Sequence, residues 1–154
     1  MDILKQVREI LAQRNLQEKD NLLTQLDQVL EYHHGLNEAD IVEGVRLLLS
    51  AALQEGNKAV RDTFFSTIAT AVAYHQIRNR IDWSRLHDAL PSLNKWELEY
   101  VLDILGFSGE VRYLPILKKY ARDPDPEIRE WADDAIENIN SWVAHTSASH
   151  KEAV

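Results

Sequence analysis

Three observations predict an all-α fold for this 154-residue chain. Apolar residues recur three and four apart nearly everywhere, period-two runs of Val, Ile and Thr are missing, and Gly and Pro punctuate the apolar stripes. The first stripe is Ile3, Leu4, Val7, Ile10 and Leu11. The second is Leu22, Leu23, Leu26, Val29 and Leu30, with Gly35 suited to a left-handed helix end. Asn37, followed by Asp40, caps a third helix that turns Ile41, Val45, Leu48, Leu49 and Ala52 inward and ends at Gly56. Asn57 caps a fourth, through Val60, Phe64, Ile68 and Val72. Asp82 and Trp83 open a short fifth helix, which Pro91 limits by disfavouring helical geometry in the residue before it.

Asn94 and Glu97 form a capping box for the sixth helix, which carries Leu98, Val101, Leu102 and Leu105 and stops in Gly106-Phe107-Ser108-Gly109, where two glycines permit a reversal. The seventh contains Tyr113, Leu114, Leu117 and Tyr120, with Pro115 near its first turns. In Asp123-Pro124-Asp125-Pro126, Pro124 ends the seventh helix, Asp125 caps the eighth and Pro126 takes its first position. The eighth buries Ile128, Ala132, Ala135, Ile136 and Ile139. After Val143 the periodicity fades, so residues 1–143 are expected to form one helical repeat domain and residues 144–154 a flexible tail.

Composition narrows the function. With 25 acidic and 17 basic residues the net charge is −8, which argues against broad phosphate binding and favours a basic partner. The absence of Cys removes disulfides, thiolate zinc sites, iron–sulfur clusters and cysteine nucleophiles together. No apolar run is long enough for a secretory signal or a membrane span, so a cytoplasmic protein with no membrane partner is expected.

Eight helices with short connections group as four antiparallel pairs, and the chain resembles itself at an offset of 68 residues: Ile116-Leu117 falls on Leu48-Leu49, Asp123 on Glu55, Asp125 on Asn57, Ile128-Arg129-Glu130 on Val60-Arg61-Asp62 and Ile136 on Ile68. Residues 83–106 fill the interval as one degenerate pair. Stacked pairs bury a continuous core that no single pair could bury alone.

Tyr113 to Ile139 (YLPILKKYARDPDPEIREWADDAIENI) resembles a HEAT repeat. Pro115 stands where the first helix of such repeats bends, Asp123 and Arg129 match the family's inter-helix Asp and Arg, and Ala132 and Ile136 match its packing positions. Residues 41–72 follow more loosely, with Glu55 for the Asp and Phe64 for the small residue; residues 83–106 follow by helix spacing, and residues 2–34 least. The resemblance implies a short right-handed α-solenoid of about four helix pairs, a non-catalytic module that binds another protein. Small bacterial members of the family include immunity proteins that occlude a partner toxin, and an acidic member suits a basic, nuclease-type toxin. The resemblance also admits a general assembly scaffold, or an enzyme or cofactor-handling protein such as a bilin lyase.

The residues offer little to catalysis, and no catalytic residue, metal or cofactor is expected. There is no His-Glu step of the HEAT-like metal hydroxylases, no GxSxG, no Gly-rich phosphate loop and no HExxH. Glu31-x-x-His34 puts a carboxylate and an imidazole on one helical face, but a di-iron site needs a second such pair. His33 and His34 suit a solvated helix end, and His75 and His87 suit packed or surface positions. The basic clusters Arg78, Arg80 and Arg85, and Lys118, Lys119 and Arg122, are too small to concentrate phosphates, so nucleic acid is not an expected partner.

The candidate partner-binding residues are Glu130, Trp131, Asp133, Asp134 and Glu137. The four acids, spaced three, four or seven apart, make a self-repelling face that a basic protein would relieve, although an ordinary solvated face gives the same pattern. Trp131 stands at the edge of the Ile128-Ala132-Ala135-Ile139 stripe, either an exposed anchor or core. Trp83, Trp96 and Trp142 are expected in the core. The oligomeric state is left open.

Overall fold

Most helix starts here rest on one piece of local chemistry, an Asn or Asp whose side-chain oxygen accepts a backbone N–H two or three residues on; the short helices that begin at Ser84 and Leu114 have no such cap. In the computed structural model, which describes the backbone of residues 1–152 and the side chains of residues 1–146, Asn37 accepts from Asp40 at 3.0 Å and Asn57 from Val60 at 3.1 Å. Asn94 accepts from Glu97 at 3.0 Å and Asp125 from Glu127 at 2.9 Å. Eight α-helices and no strand occur among the described residues: α1 (Ile3–Ala12), α2 (Leu16–Tyr32), α3 (Glu38–Gln54), α4 (Lys58–Tyr74), α5 (Ser84–Ala89), α6 (Lys95–Ser108), α7 (Leu114–Tyr120) and α8 (Pro126–Glu152). Asn57→Ala should cost about 1 kcal/mol, seen as a lower urea midpoint at an unchanged m value.

Several local details depart from expectation. Helix α2 begins well before its apolar stripe, at Leu16, because Asn15 accepts the Glu18 N–H at 3.0 Å. It ends at Tyr32, so Gly35, whose φ of +78° is left-handed, serves the following loop and not the helix cap. Of the two glycines expected to reverse the chain after α6, only Gly109 does so, with φ +68° at the C-cap. Gly106 lies inside the helix, where a Cβ would stand 2.7 Å from the Ala135 Cα and 2.9 Å from its Cβ. Its role is close helix–helix approach. Pro115 falls in the first turn of α7 and Pro126 opens α8, as their missing N–H groups require. Helix α8 continues to Glu152, past the point where the periodicity fades; Ala153 and Val154 lie outside the described residues.

Two compact units divide the chain, Met1–Asp82 and Trp83–Val154. In the first, α1 packs on α2, α3 on α4, α1 on α3 and α2 on α4. The α2–α4 contact is parallel. Asp20 accepts from Thr63, the Leu23 carbonyl from Thr67 at 3.4 Å, Asp27 from Ser66 at 2.9 Å and Glu31 from Tyr74 at 3.3 Å, so the first turns of the two helices lie side by side and so do the last. Beneath this row Leu23, Leu26, Leu30, Phe64 and Ile68 are buried. In the second unit α6 and α7 both pack on α8, and Val101, Leu102, Leu105, Leu117, Ala132 and Ile139 are buried.

Three of the connections between helices are built alike. Gln13, Glu55 and Asp123 each donate a backbone N–H to the carbonyl three residues back, at 3.1, 3.3 and 3.0 Å. Their side-chain oxygens accept the N–H of Asn15, Asn57 and Asp125 at 3.0, 3.2 and 2.9 Å. Asn15, Asn57 and Asp125 then cap α2, α4 and α8. A basic residue follows four positions later each time, Lys19, Arg61 and Arg129, its N–H bonded to the carbonyl of the capping residue. The self-similarity read between residues 55–61 and 123–129 thus has a structural basis, and it extends to residues 13–19, where the sequence signal is weakest. No described helix is long and apolar enough to cross a membrane.

Candidate functional site

The start of α8 is fixed by Asp125 and by Arg129, whose guanidinium donates to the carbonyls of Asp123 at 2.8 Å and Pro124 at 3.1 Å. With that start set and Ile128, Ala132, Ala135 and Ile139 turned inward, helical periodicity sends Glu130, Asp133, Asp134 and Glu137 outward. All four are exposed, and none pairs with a basic side chain among the described residues. The sequence-predicted acidic face therefore exists as a surface.

Trp131 is half-buried. Its ring lies 6.5 Å from that of Trp96 at an interplanar angle of 50°, and Trp96, expected in the core, is 49% exposed. The reason is angular. Trp96 falls on the side of α6 opposite the Leu98-Val101-Leu102-Leu105 stripe, so burying that stripe pushes the indole outward. Trp142, also expected in the core, is partly exposed as well. It shares the direction of the inward stripe of α8 but stands beyond Ile139, the last buried residue described, and is 38% exposed. Trp83 is fully buried, as expected.

Lys95 joins the two indoles. Its ammonium sits 5.4 Å from the Trp96 ring and 5.9 Å from the Trp131 ring, while pairing with Asp125 at 2.9 Å and Glu127 at 2.8 Å. Hydrogen bonds from Glu127 and Asp125 hold the lysine pKa above its ordinary value, and the bond from Lys95 holds the Asp125 carboxyl below its own. These contacts tie the first turn of α6 to the first turn of α8. The two helices run parallel, since Lys95 meets Glu127, Trp96 meets Trp131 and Gly106 meets Ala135 in rising order.

Further along the same pair lies a group that sequence reasoning missed. Glu99 and Asp103, three and seven residues after Trp96, share its side of α6, and both are half-buried. The Asp103 pKa is pushed up to about 6, first by burial, then by the charges of Glu99 and Asp134. None of the three carboxylates has a basic partner among the described residues. The sequence signal for Glu99 and Asp103 was their spacing from an outward Trp; what it could not supply was the register that sets them beside Asp134.

The other candidates are placed elsewhere. His33 and His34 are exposed at the end of α2. His75 Nε2 lies 2.7 Å from the Leu30 carbonyl, and His87 meets Asp88 at 3.0 Å. Among the described residues no group of three or more His, Asp or Glu is arranged to hold a metal ion. Of the basic clusters, Arg80 pairs with Glu38 at 3.6 Å, and Lys118 and Lys119 are exposed on α7.

The fold and the surface together define a class: an all-α protein of packed helix pairs that carries an acidic face beside a tryptophan pair. No protein-family model matches the chain, and no curated protein or solved structure matches it either.

Proposed function

We propose that this chain is a non-catalytic, cytoplasmic binding module, a short right-handed HEAT-like solenoid whose acidic face on α8 engages a basic protein. The observation that carries this reading is the exposure of Glu130, Asp133, Asp134 and Glu137, none paired with a basic side chain among the described residues, beside the half-buried Trp131. Like charges on neighbouring turns repel, and a complementary basic surface would relieve that repulsion while speeding association. The HEAT-like architecture is supported by the packing of α1 on α3 and α2 on α4, and by the three connections built on one plan. An immunity role, in which the partner is a basic toxin that the module occludes, fits the same charge pattern.

The test is affinity capture from the native host with the wild-type chain and with the variant Glu130→Ser, Asp133→Ser, Asp134→Ser and Glu137→Ser. All four positions are exposed, so helicity should stay within a few per cent while the association rate falls about 10- to 100-fold at low salt. A basic protein recovered by the wild type and lost with the variant is the expected result, and toxicity of that protein alone would establish the immunity role. Equal recovery with both chains overturns the reading.

A further inference from the structure

We infer that Lys95 is a positioning residue of the partner-binding surface: its ammonium holds the indoles of Trp96 and Trp131 in one arrangement and so sets the edge of the α8 face, without itself meeting the partner. This rests on the protein-binding reading above and adds what keeps that face in order.

Lys95 stands where local preference opposes it. It is the first residue of α6, directly after the Asn94 cap, where the aligned peptide dipoles disfavour a cation. The start of α8 lies beside it, with Asp125 at 2.9 Å and Glu127 at 2.8 Å from the ammonium, so a second helix N-terminus faces the same positive charge. A local rule broken in this way is expected where a side chain serves a function.

The contacts of the ammonium show which function it serves. Asp125 gives Oδ1 to the Glu127 N–H at 2.9 Å and Oδ2 to the lysine, so one carboxylate fixes both the helix start and the cation. From there the ammonium lies 5.4 Å from the centre of the Trp96 ring and 5.9 Å from that of Trp131, one turn further along α8 than Glu127. The two rings stand 6.5 Å apart at 50°, and neither is core: Trp96 is 49% exposed and Trp131 is half-buried. A ring outside the core has several staggered rotamers open to it, and a cation against its face favours one. A side chain ordered in advance loses less freedom when a partner covers it, and the saving is read as affinity. Lys95 thus acts through Trp131, which borders Glu130 and Asp134 on α8.

The two roles open to Lys95 predict effects of opposite sign. Its ammonium answers Asp125 and Glu127, so removing it frees two carboxylates. Were charge its whole role, its loss would tighten the binding of a cationic molecule; as a positioning residue, its loss weakens binding despite the added negative charge.

The experiment titrates a short oligolysine peptide into the wild type, Lys95→Met, Lys95→Arg, Trp131→Ala, Lys95→Met/Trp131→Ala, and Glu130→Ser/Asp133→Ser/Asp134→Ser/Glu137→Ser. Heat of binding is the readout, and thermal melts check that each chain is folded at the titration temperature. Lys95→Met should weaken binding about three- to tenfold, the worth of ordering one large side chain. Lys95→Arg, which keeps a cation against the indoles, should stay within about twofold of the wild type, and the double variant should be no weaker than Trp131→Ala, because the two residues act as one unit. Binding by Lys95→Met as tight as the wild type, or tighter, overturns the inference. So does an Arg variant as weak as the Met variant, and so does a double variant in which the two losses add, since Lys95 would then act apart from Trp131. If Lys95→Met is unimpaired while the quadruple variant is weakened, the acidic-face reading stands and the Lys95 role falls. If the quadruple variant binds like the wild type while Lys95→Met is weakened, the acidic-face reading falls and Lys95 positions a surface centred on Trp131. No binding by the wild type overturns both.

Discussion

Asp103→Asn should stabilise the protein at pH 7 by about 1–2 kcal/mol, a value already reduced for the screening that water provides at a half-buried site. Burial, then Glu99 and Asp134, raise the folded pKa of this carboxyl to about 6 from an ordinary 3.8. The native state therefore holds the proton more tightly than the unfolded chain does. The stability this proton confers is fully present below about pH 4 and is lost as pH rises through about 6. Asn imitates the protonated acid, so the variant's advantage should be largest at pH 7 and vanish near pH 4. Urea unfolding at pH 4, 5, 6 and 7 checks this, and a gain that is the same at every pH would exclude ionisation as its cause.

Gly106→Ala should act the other way. In an unobstructed helix the change would gain about 1 kcal/mol of helical propensity. Here the new methyl would stand 2.7 Å from the Ala135 Cα, a backbone atom that cannot rotate aside. Helices α6 and α8 must separate, and the net loss should be about 1–3 kcal/mol, the usual range for overpacking. For a chain of this size that lowers Tm by about 3–10 °C. Gly56→Ala is the control, because nothing lies within 4 Å of its added methyl and its φ is not positive. It should be neutral or stabilising by up to about 1 kcal/mol. The separation in Gly106→Ala should also disturb the Trp96–Trp131 pair, visible as a change in near-ultraviolet circular dichroism.

What could be read in advance was what is decided locally. Asn37, Asn57, Asn94 and Asp125 announce helix starts because the capping oxygen bonds within its own turn, and the buried stripes of α3, α6 and α8 follow from spacing alone, except that Ile136, expected in the α8 stripe, is only half-buried. The start of α2 was missed because Leu16 to Asn21 carries no apolar stripe, although Asn15 followed by Glu18 held the signal. Gly106 reads as a turn residue because a glycine in a sequence does not show whether it bends its own chain or admits another. Residue type outweighed angle at Trp96. The placing of Glu99 and Asp103 near Asp134 depends on the register of α6 against α8, which no local pattern encodes, so these two acids stand outside an acidic face assigned to α8 alone.

Because α6 and α8 run parallel, their N-termini stand together, each carrying the equivalent of about half a positive charge from its aligned peptide dipoles. Glu97, Asp125 and Glu127 stand at those ends with Lys95 between the two helices, so much of the acidity there is answered within the protein. The formal charge of −8 therefore overstates what an approaching molecule meets at this end. Toward Asp103, Asp134 and Glu137 no basic side chain among the described residues pairs with the carboxylates. At physiological ionic strength the field of these unpaired carboxylates is screened over about 8 Å. The charge of this unit is thus unevenly laid out along one helix pair, neutralised at the helix starts and unneutralised one to two turns further on.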